Sequence, residues 1–245
     1  MVVLLDGAGM PSELQPPCGH GVAWFARTLG TAMCLTATGE KSLPDALAAA
    51  IAQTADLHRD TCAVDDPLSP SATLAALRVR EDSVDWLVLG DCTLVLDHGR
   101  APEVIMDDRL SMAAREERAA VRTAPPGSDA RRALHGRLVR AERALRNRPG
   151  GYWVAAADPL AAGAALHGTY PRGDVRRAAL LTDGAARLVT LFALADWSEC
   201  LTALATEGPE TLVGRVRDVE LSDPTSTRWP RSKTHDDATV VYISL

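Results

Sequence analysis

Aspartates at the ends of apolar runs are the residues of this sequence best suited to chemistry. Asp6 follows the apolar run 2–5, and Asp183 follows the apolar run 178–181; each is followed by a glycine. Asp236 lies just before the last apolar run of the chain. A glycine beside an acid lets the backbone approach a ligand closely. Three strand ends that carry carboxylates therefore predict one shared metal site.

A fourth acid, Asp91, follows the apolar run 84–89 and completes the predicted ligand set. Mg²⁺ and Mn²⁺ prefer carboxylate and carbonyl oxygens, so the carbonyl of Gly7 joins Asp6, Asp91, Asp183 and Asp236 as a predicted ligand. Two such ions about 3.5–4 Å apart can activate water for attack on phosphorus. The alternative is that each acid is an ordinary turn or capping residue, since Asp-Gly is a common turn dipeptide.

Other polar residues lie near these acids in the sequence. His20 and His235 are predicted to act in proton transfer or phosphate contact, against the alternative of a structural or solvent-exposed histidine. Arg231 and Lys233, just before the last acid, are predicted to contact phosphate. Cys18 beside His20 suggests a thiol nucleophile, but no third catalytic member accompanies it.

Composition predicts a single globular domain of 245 residues, with 47% hydrophobic and 24% charged residues. No apolar run approaches the roughly 18–20 residues that cross a bilayer, and no basic segment precedes an apolar one at the N-terminus. We therefore expect a cytoplasmic protein with no membrane partner. The net charge of −6 argues against nucleic-acid binding. Five scattered cysteines predict neither a disulfide framework nor a zinc module, and most of the thiols are expected to be reduced and buried.

Apolar periodicity predicts helices and strands in separate groups, which indicates an α+β protein. The predicted helices cover 22–33, 43–60 with Ser42 as cap, 109–148 with a break at 125–127 and Ser128 as cap, 159–167, 185–194, 197–206 with Asp196 as cap, and 209–221. The predicted strands cover 2–5, 73–80, 84–89, 93–96, 103–106, 152–155, 178–182 and 238–243. The strands 73–80, 84–89 and 93–96 are close enough in sequence to predict an antiparallel meander. The Arg-rich helices of 109–148 indicate either a solvated face or a docking surface for an acidic or phosphorylated partner.

The order of the motifs resembles the metal-dependent protein phosphatase family (PPM, type 2C), in its bacterial form. The motifs that carry the resemblance are Leu4-Leu5-Asp6-Gly7-Ala8-Gly9, Ser71-Ala72-Thr73-Leu74, Gly90-Asp91-Cys92, Met106-Asp107-Asp108, Thr182-Asp183-Gly184 and His235-Asp236-Asp237-Ala238. No single motif is specific, whereas six in the family's order span nearly the whole chain.

The resemblance implies one domain over 1–245, built as a four-layer α-β-β-α sandwich with two central antiparallel sheets. It implies two Mn²⁺ or Mg²⁺ ions, with Asp6 bridging them, the Gly7 carbonyl on one, and Asp183 and Asp236 on the other. Asp91 would hold a third, weaker ion. The segment 107–148 would be a flap beside the active site that influences substrate choice.

The sequence departs from the family pattern at several positions. The family's phosphate-binding Arg and its Glu-Asp pair precede the first motif, whereas Asp6 is only five residues from Met1. We therefore expect either a start further upstream or an incomplete phosphate site. Ala8 replaces a histidine thought to act as general acid in many eukaryotic members. Cys92 replaces the Ser of Gly-Asp-Ser, and Asp237 replaces the usual Asn.

The resulting hypothesis is Mn²⁺ or Mg²⁺-dependent hydrolysis of phosphoserine or phosphothreonine in proteins by a metal-activated water. Two alternatives stay open: a pseudophosphatase that binds or regulates with little or no activity, and a hydrolase of small phosphoesters. The sequence does not indicate an oligomeric state.

Overall fold

The structure is a computed structural model that describes residues 1–8, 18–125 and 127–245. Gly9 of the first motif and Pro126 of the predicted helix break lie outside the described residues. No helix in the described ranges is both long and apolar enough to cross a membrane.

The described chain alternates between strands and groups of helices. The strands are β1 (Val2–Ala8), β2 (Ser71–Val79), β3 (Ser83–Leu89), β4 (Thr93–Asp97), β5 (Glu103–Met106), β6 (Leu166–Pro171), β7 (Arg177–Leu181) and β8 (Val240–Ser244). The α-helices are α1 (Gly21–Thr36), α2 (Leu43–Asp56), α3 (Arg109–Met112), α4 (Arg115–Thr123), α5 (Asp129–Leu145), α6 (Asp183–Thr190), α7 (Trp197–Thr206) and α8 (Pro209–Ser222). Short 3₁₀ helices cover Pro159–Ala164 and Arg172–Asp174.

The strands form two antiparallel sheets. The first sheet has the order β1-β2-β3-β6, and the second has the order β5-β4-β7-β8. The inner strands β2, β4 and β7 are buried on both faces, because one face meets the other sheet and the opposite face meets helices. In β2, Leu74 and Ala76 pack towards α1 and α2, whereas Ala75 and Leu77 pack into the core between the sheets. In β7, Leu180 enters that same core.

The helices close the two outer faces. Phe25 and Leu29 of α1 and Leu47 and Ile51 of α2 are fully buried against the first sheet. Helices α6, α7 and α8 cover the second sheet. One apolar cluster joins the helices to Ala179 and Leu181 of β7, and its helical members include Leu188, Leu201, Leu204, Leu212 and Val216. This order of layers is the predicted four-layer α-β-β-α sandwich with two central antiparallel sheets, and the prediction is confirmed.

The predicted helix caps are present. The side chain of Ser42 accepts a hydrogen bond from the backbone N of Asp45 at the start of α2. The side chain of Ser128 accepts one from the backbone N of Arg131 at the start of α5. Asp196 and Glu199 form a complete capping box at the start of α7. These caps satisfy backbone N–H groups that have no partner inside the helix.

The predicted meander is wrong at its third strand. β2 and β3 pair as expected, but β4 pairs with β5 and β7 in the second sheet. The chain changes sheets at residues 90–92, and β4 is buried throughout: Leu94 and Leu96 pack into the core between the sheets, and Val95 packs against the helices of the second sheet. The turn that carries Asp91 therefore joins the two sheets at one end.

Two further predictions need correction. Residues 152–155 make only isolated bridges, Tyr152 with Arg146 and Ala155 with Ala72, so they do not form the predicted strand. Residues 166–171 form strand β6, where the sequence pattern predicted the end of a helix over 159–167 and then a loop; the helix itself is a 3₁₀ helix that ends at Ala164. The side chains of β6 are mostly exposed because this strand lies at the edge of the first sheet, so it lacks the apolar signal of a buried strand.

Candidate metal centre

Strand pairing in the first sheet brings Asp6 and Asp91 together. Asp6 lies opposite Thr73 of β2. Leu74, the next residue of β2, lies opposite Leu89, the last residue of β3. The chain then turns at Gly90, whose φ of +79° is left-handed. A Cβ at Gly90 would lie 2.4 Å from Cγ2 of Thr73, so only glycine fits this turn. Asp91 therefore leaves the turn beside the end of β1.

Contacts between two loops of the second sheet bring Asp183 and Asp236 together. Asp183 is the first residue of α6, directly after β7. The backbone N of Thr182 donates to the carbonyl of Thr239 at 3.0 Å, and the backbone N of Thr239 donates to Oγ1 of Thr182 at 3.0 Å. A Cβ at Gly184 would lie 2.1 Å from the carbonyl oxygen of Asp237 and 3.2 Å from Cβ of Asp236. Glycine at 184 therefore allows the two acidic segments to touch.

The four aspartates form one electrostatic cluster. Burial, followed by the charge of Asp183 and a hydrogen bond with it, raises the pKa of Asp6 to about 8, and Asp91 and Asp236 add to this effect. Burial and the charge of Asp183 raise the pKa of Asp91 to about 7. Burial and the charge of Asp236 raise the pKa of Asp183. Carboxylates that share a buried site repel one another and retain protons.

This cluster fits a divalent cation by the chemistry of its donors. Hard cations such as Mn²⁺ and Mg²⁺ bind carboxylate oxygens, and a positive ion removes the repulsion that raises these pKa values. The sequence-predicted set of Asp6, Asp91, Asp183 and Asp236 is thus brought to one end of the sandwich. The adjacent Gly7 is part of β1 and lies opposite Ala72.

Arg187 is a residue of this site that sequence reasoning missed. It is buried, and its Nη2 donates to Oδ2 of Asp236 at 2.7 Å while its Nη1 donates to Oε1 of Glu220 at 2.6 Å. Glu220 on α8 also accepts from Arg217. The available signal was the spacing of Asp183 and Arg187, which are four residues apart on one helix and therefore lie on one face.

The two predicted phosphate contacts differ in position. Nζ of Lys233 donates to Oδ1 of Asp236 at 2.6 Å, and its side chain is 59% exposed, which leaves this cation at the edge of the cluster. Arg231 is 5% exposed and donates to Asp223 and to the carbonyls of Glu220, Trp229 and Thr234. These bonds hold the loop before β8, and they argue against the predicted phosphate contact of Arg231.

The two predicted catalytic histidines lie in different surroundings. Nδ1 of His235 is 3.0 Å from Oε2 of Glu220, so this ring contacts the acid that also binds Arg187. His20 belongs to another cluster, in which its ring packs on Trp24 and its Nδ1 lies 3.4 Å from Sγ of Cys62. His235 is thus adjacent in sequence to the predicted ligand Asp236, but its ring contacts Glu220 rather than Asp236.

The segment 107–148 folds as α3, α4 and α5, and its arginines are not all solvated. Arg143 is 7% exposed and donates to Oγ of Ser71 and to the carbonyl of Ala8. Arg146 donates to the carbonyls of Ser69 and Asp66. The positive charge of Arg118 lowers the pKa of Asp91 against the larger effect of burial. The predicted alternative of a wholly solvated face is therefore wrong for the inner side of α5.

A groove of about 540 Å³ lies between this segment and the loop before β8. Arg131 and Arg132 of α5 line one side, and Lys233 lines the other. The described residues that line the groove include no acid. The groove therefore presents positive charge next to the carboxylate cluster, to which Lys233 connects it.

Two antiparallel sheets between helical layers, with acidic strand ends gathered at one end, form the architecture that this chain shares with solved bacterial phosphatases. The chain belongs to the protein phosphatase 2C family, whose family model matches residues 1–214. Family and fold together support a protein phosphatase. A comparison with curated proteins finds no match.

Solved bacterial phosphatases share the fold at low sequence identity. The chain resembles the serine/threonine phosphatase Stp1 from Staphylococcus aureus, with 15% identity, a TM-score of 0.54, and coverage of 99% of this chain and 82% of that one. It also resembles the serine/threonine phosphatase PstP/Ppp from Mycobacterium tuberculosis, with 16% identity, a TM-score of 0.56, and coverage of 99% and 87%. For the PPM Ser-Thr phosphatase MsPP from Mycobacterium smegmatis, the identity is 20%, the TM-score 0.51, and the coverage 99% and 87%.

Proposed function

We propose that this protein hydrolyses phosphoserine or phosphothreonine in proteins with Mn²⁺ or Mg²⁺. The observation that carries the proposal is the gathering of Asp6, Asp91, Asp183 and Asp236 at one end of the sandwich. Their carboxylates raise one another's pKa values, as expected of a site that binds cations. Membership of the protein phosphatase 2C family supports the same activity.

The ligands are assigned from the motifs and their placement. Asp6 and the carbonyl of Gly7 would hold a pair of ions together with Asp183 and Asp236, with Asp6 between the two. Asp91 would contribute to a third position, as the resemblance of Gly90-Asp91-Cys92 to the family's Gly-Asp-Ser motif implies. When bound, such ions supply an activated water and neutralise charge on the phosphoryl oxygens.

Three side chains of this protein would prepare that chemistry. Arg187 holds Oδ2 of Asp236 and fixes the orientation of this ligand. Lys233 contacts the other oxygen of Asp236 and has a largely exposed side chain, and we propose that its ammonium group meets the phosphate of the substrate. Thr182, bonded to the β8 segment, holds the ligand loops of Asp183 and Asp236 in contact.

The groove beside the cluster favours a phosphoprotein as substrate. A phosphorylated peptide carries negative charge, and Arg131, Arg132 and Lys233 line the groove without an acid among the described lining residues. Complementary charge raises the rate of encounter with such a partner. We propose that the segment 107–148 acts as the flap that selects the peptide around the phosphorylated residue.

The test is an assay of the purified protein with p-nitrophenyl phosphate and with a phosphothreonine peptide, in Mn²⁺ and in excess chelator. We expect hydrolysis of both in Mn²⁺ only, and binding of two ions by calorimetric titration. Binding of two ions without hydrolysis of either substrate would favour a pseudophosphatase. Hydrolysis of p-nitrophenyl phosphate alone would favour a small phosphoester as the substrate.

A further inference from the structure

A second cluster of metal-binding side chains lies at the start of α1, apart from the aspartates. It consists of Cys18, His20, His58 and Cys62, each of which offers one ligand atom within 4.8 Å of all the others. Sγ of Cys18 is 3.5 Å from Nδ1 of His58 and 3.8 Å from Nδ1 of His20. Sγ of Cys62 is 3.4 Å from Nδ1 of His20.

These distances are those of a tetrahedral zinc site. With Zn–S near 2.3 Å and Zn–N near 2.0–2.1 Å, tetrahedral geometry separates sulfur and nitrogen ligands by about 3.6 Å. Two thiolates and two imidazoles are also the donor set that selects zinc over the harder Mn²⁺ and Mg²⁺. We propose that Cys18, His20, His58 and Cys62 bind one structural Zn²⁺.

The surroundings of the cluster favour a built site over a chance meeting of surface side chains. Cys18 is 1% exposed and His58 is 3% exposed. The ring of Trp24 lies 4.4 Å from that of His20 and 5.0 Å from that of His58, so one aromatic side chain orients both histidines. A disulfide between the two cysteines would require neither histidine, whereas a zinc site uses all four groups.

The proposed zinc joins two parts of the chain that are distant in sequence. Cys18 and His20 directly precede α1, and His58 and Cys62 follow α2. The side chain of Val22, two residues after His20, lies 2.3 Å from the position that a Cβ on Gly7 would occupy. A zinc at this point would therefore fix the start of α1 against the strand end that carries Asp6. Four protein ligands leave no open position, which is typical of a structural site.

The linear sequence did not indicate this site, since its cysteines are not closely paired. The short spacings are Cys18-Gly19-His20 and His58-Arg59-Asp60-Thr61-Cys62, and the two helices α1 and α2 lie between them. The expectation of no zinc module considered the spacing of the cysteines alone. The packing of α1 on α2 brings Cys18 and His20 next to His58 and Cys62.

The experiment measures zinc in protein expressed with added Zn²⁺ and purified with a reductant but no chelator. We expect one zinc per chain in the wild type, and loss of that zinc in Cys62→Ser and in His58→Ala. Cys34→Ser is the matched control, because Cys34 is exposed and is not a member of the cluster. This control should retain the zinc.

Cobalt substitution separates this site from the aspartates. Co²⁺ in the reduced wild-type protein should give the visible bands of tetrahedral coordination and a sulfur-to-cobalt charge-transfer band, which carboxylates do not produce. Asp183→Ala should keep these bands, and Cys62→Ser should lose them. Reduced wild-type protein that shows no thiolate–cobalt absorption would overturn the proposal, whether or not the variants fold. Equal zinc content in the wild type and in Cys62→Ser with an unchanged circular dichroism spectrum would overturn it as well.

Discussion

Arg187 and Asp236 form an ion pair that lies directly behind the carboxylate cluster, with Nη2 of Arg187 at 2.7 Å from Oδ2 of Asp236. The other end of the guanidinium binds Glu220, whose side chain is fully buried. A ligand carboxylate that is held by a buried arginine has one fixed orientation, and such support contributes to metal affinity. The position of Asp236 therefore depends on α6 and α8 as well as on its own loop.

Replacing Arg187 tests that support. Arg187→Leu should lower the free energy of unfolding by about 3 kcal/mol, because the loss of one partner leaves buried Glu220 with less compensation. It should also weaken Mn²⁺ binding by roughly 10-fold, the lower limit for loss of such a supporting bond. Urea unfolding and calorimetric titration measure the two effects. The control is Arg215→Ala, since the exposed pair of Arg215 and Glu207 should contribute at most about 1 kcal/mol. Equal results for the two variants would contradict the role of Arg187.

Removal of a ligand should separate activity from stability. Asp183→Ala should abolish Mn²⁺-dependent hydrolysis, while the metal-free protein keeps or gains thermal stability because the repulsion within the cluster falls. Activity assays and thermal denaturation in chelator measure the two quantities. Glu81→Ala, which removes an exposed acid, is the control and should change neither. A large loss of stability in metal-free Asp183→Ala with activity retained would refute the assignment.

Glycine 184 should be essential for contact between the two ligand loops. Gly184→Ala would place a methyl group 2.1 Å from the carbonyl of Asp237, so the segment that carries Asp236 must move. We expect at least a 10-fold loss of Mn²⁺ affinity. In Gly173→Ala the added methyl meets nothing within 4 Å, and this control should leave Mn²⁺ binding unchanged. Unchanged binding in Gly184→Ala would show that the contact does not position the ligand.

The neighbours Lys233 and Arg231 should respond differently to loss of charge. Lys233→Gln should raise KM for a phosphopeptide about 3- to 10-fold with little change in stability, because the side chain of Lys233 is largely exposed beside Asp236. Arg231→Gln should instead lower stability, since it removes a buried partner of Asp223. Steady-state kinetics and urea unfolding of both variants decide the matter. A higher KM in Arg231→Gln without loss of stability would reverse the two roles.

The stability of the metal-free protein should fall as pH rises from about 4 to about 8. The pKa of Asp6 is about 8 in the folded protein against an ordinary value of 3.8, so the folded state binds more protons than the unfolded state within this window. The stabilisation that Asp6 contributes is complete below its ordinary pKa of 3.8, and it is lost as the pH rises through its pKa of about 8 in the folded protein. Mn²⁺ binding displaces these protons and should tighten over the same range.

Urea unfolding in chelator at pH 5.5 and pH 8, on the wild type and on Asp6→Asn, isolates this contribution. The free energy of unfolding of the wild type, relative to that of Asp6→Asn, should be higher at pH 5.5 than at pH 8. A difference that is independent of pH would contradict the raised pKa of Asp6.

Sequence reasoning identified the acids because their signal is local. Asp6 directly follows an apolar run, Asp91 and Asp183 each follow one after a single residue, and strand ends of a packed sheet meet at shared edges. The helix caps at Ser42 and Ser128 were predictable for the same reason, as a cap depends on residues within one turn. The α+β class followed from the grouping of helices and strands.

What the sequence did not indicate depends on contacts between distant segments. The change of sheet at residues 90–92 depends on how β4 packs, which its apolar pattern alone does not specify. Arg187 and Glu220 come from different helices, and the cluster of Cys18 and His58 forms only when α1 packs on α2. Edge strand β6 carries no apolar alternation that would separate it from a loop.

We propose that the aspartate cluster makes this chain a metal-dependent protein phosphatase. The most direct measurement is phosphate release from a phosphothreonine peptide as a function of Mn²⁺ concentration, for the wild type and for Asp183→Ala. We expect phosphate release that rises from zero and saturates with Mn²⁺ in the wild type and is absent in the variant. Wild-type protein that binds Mn²⁺ and releases no phosphate, or equal release by the two proteins, would contradict it.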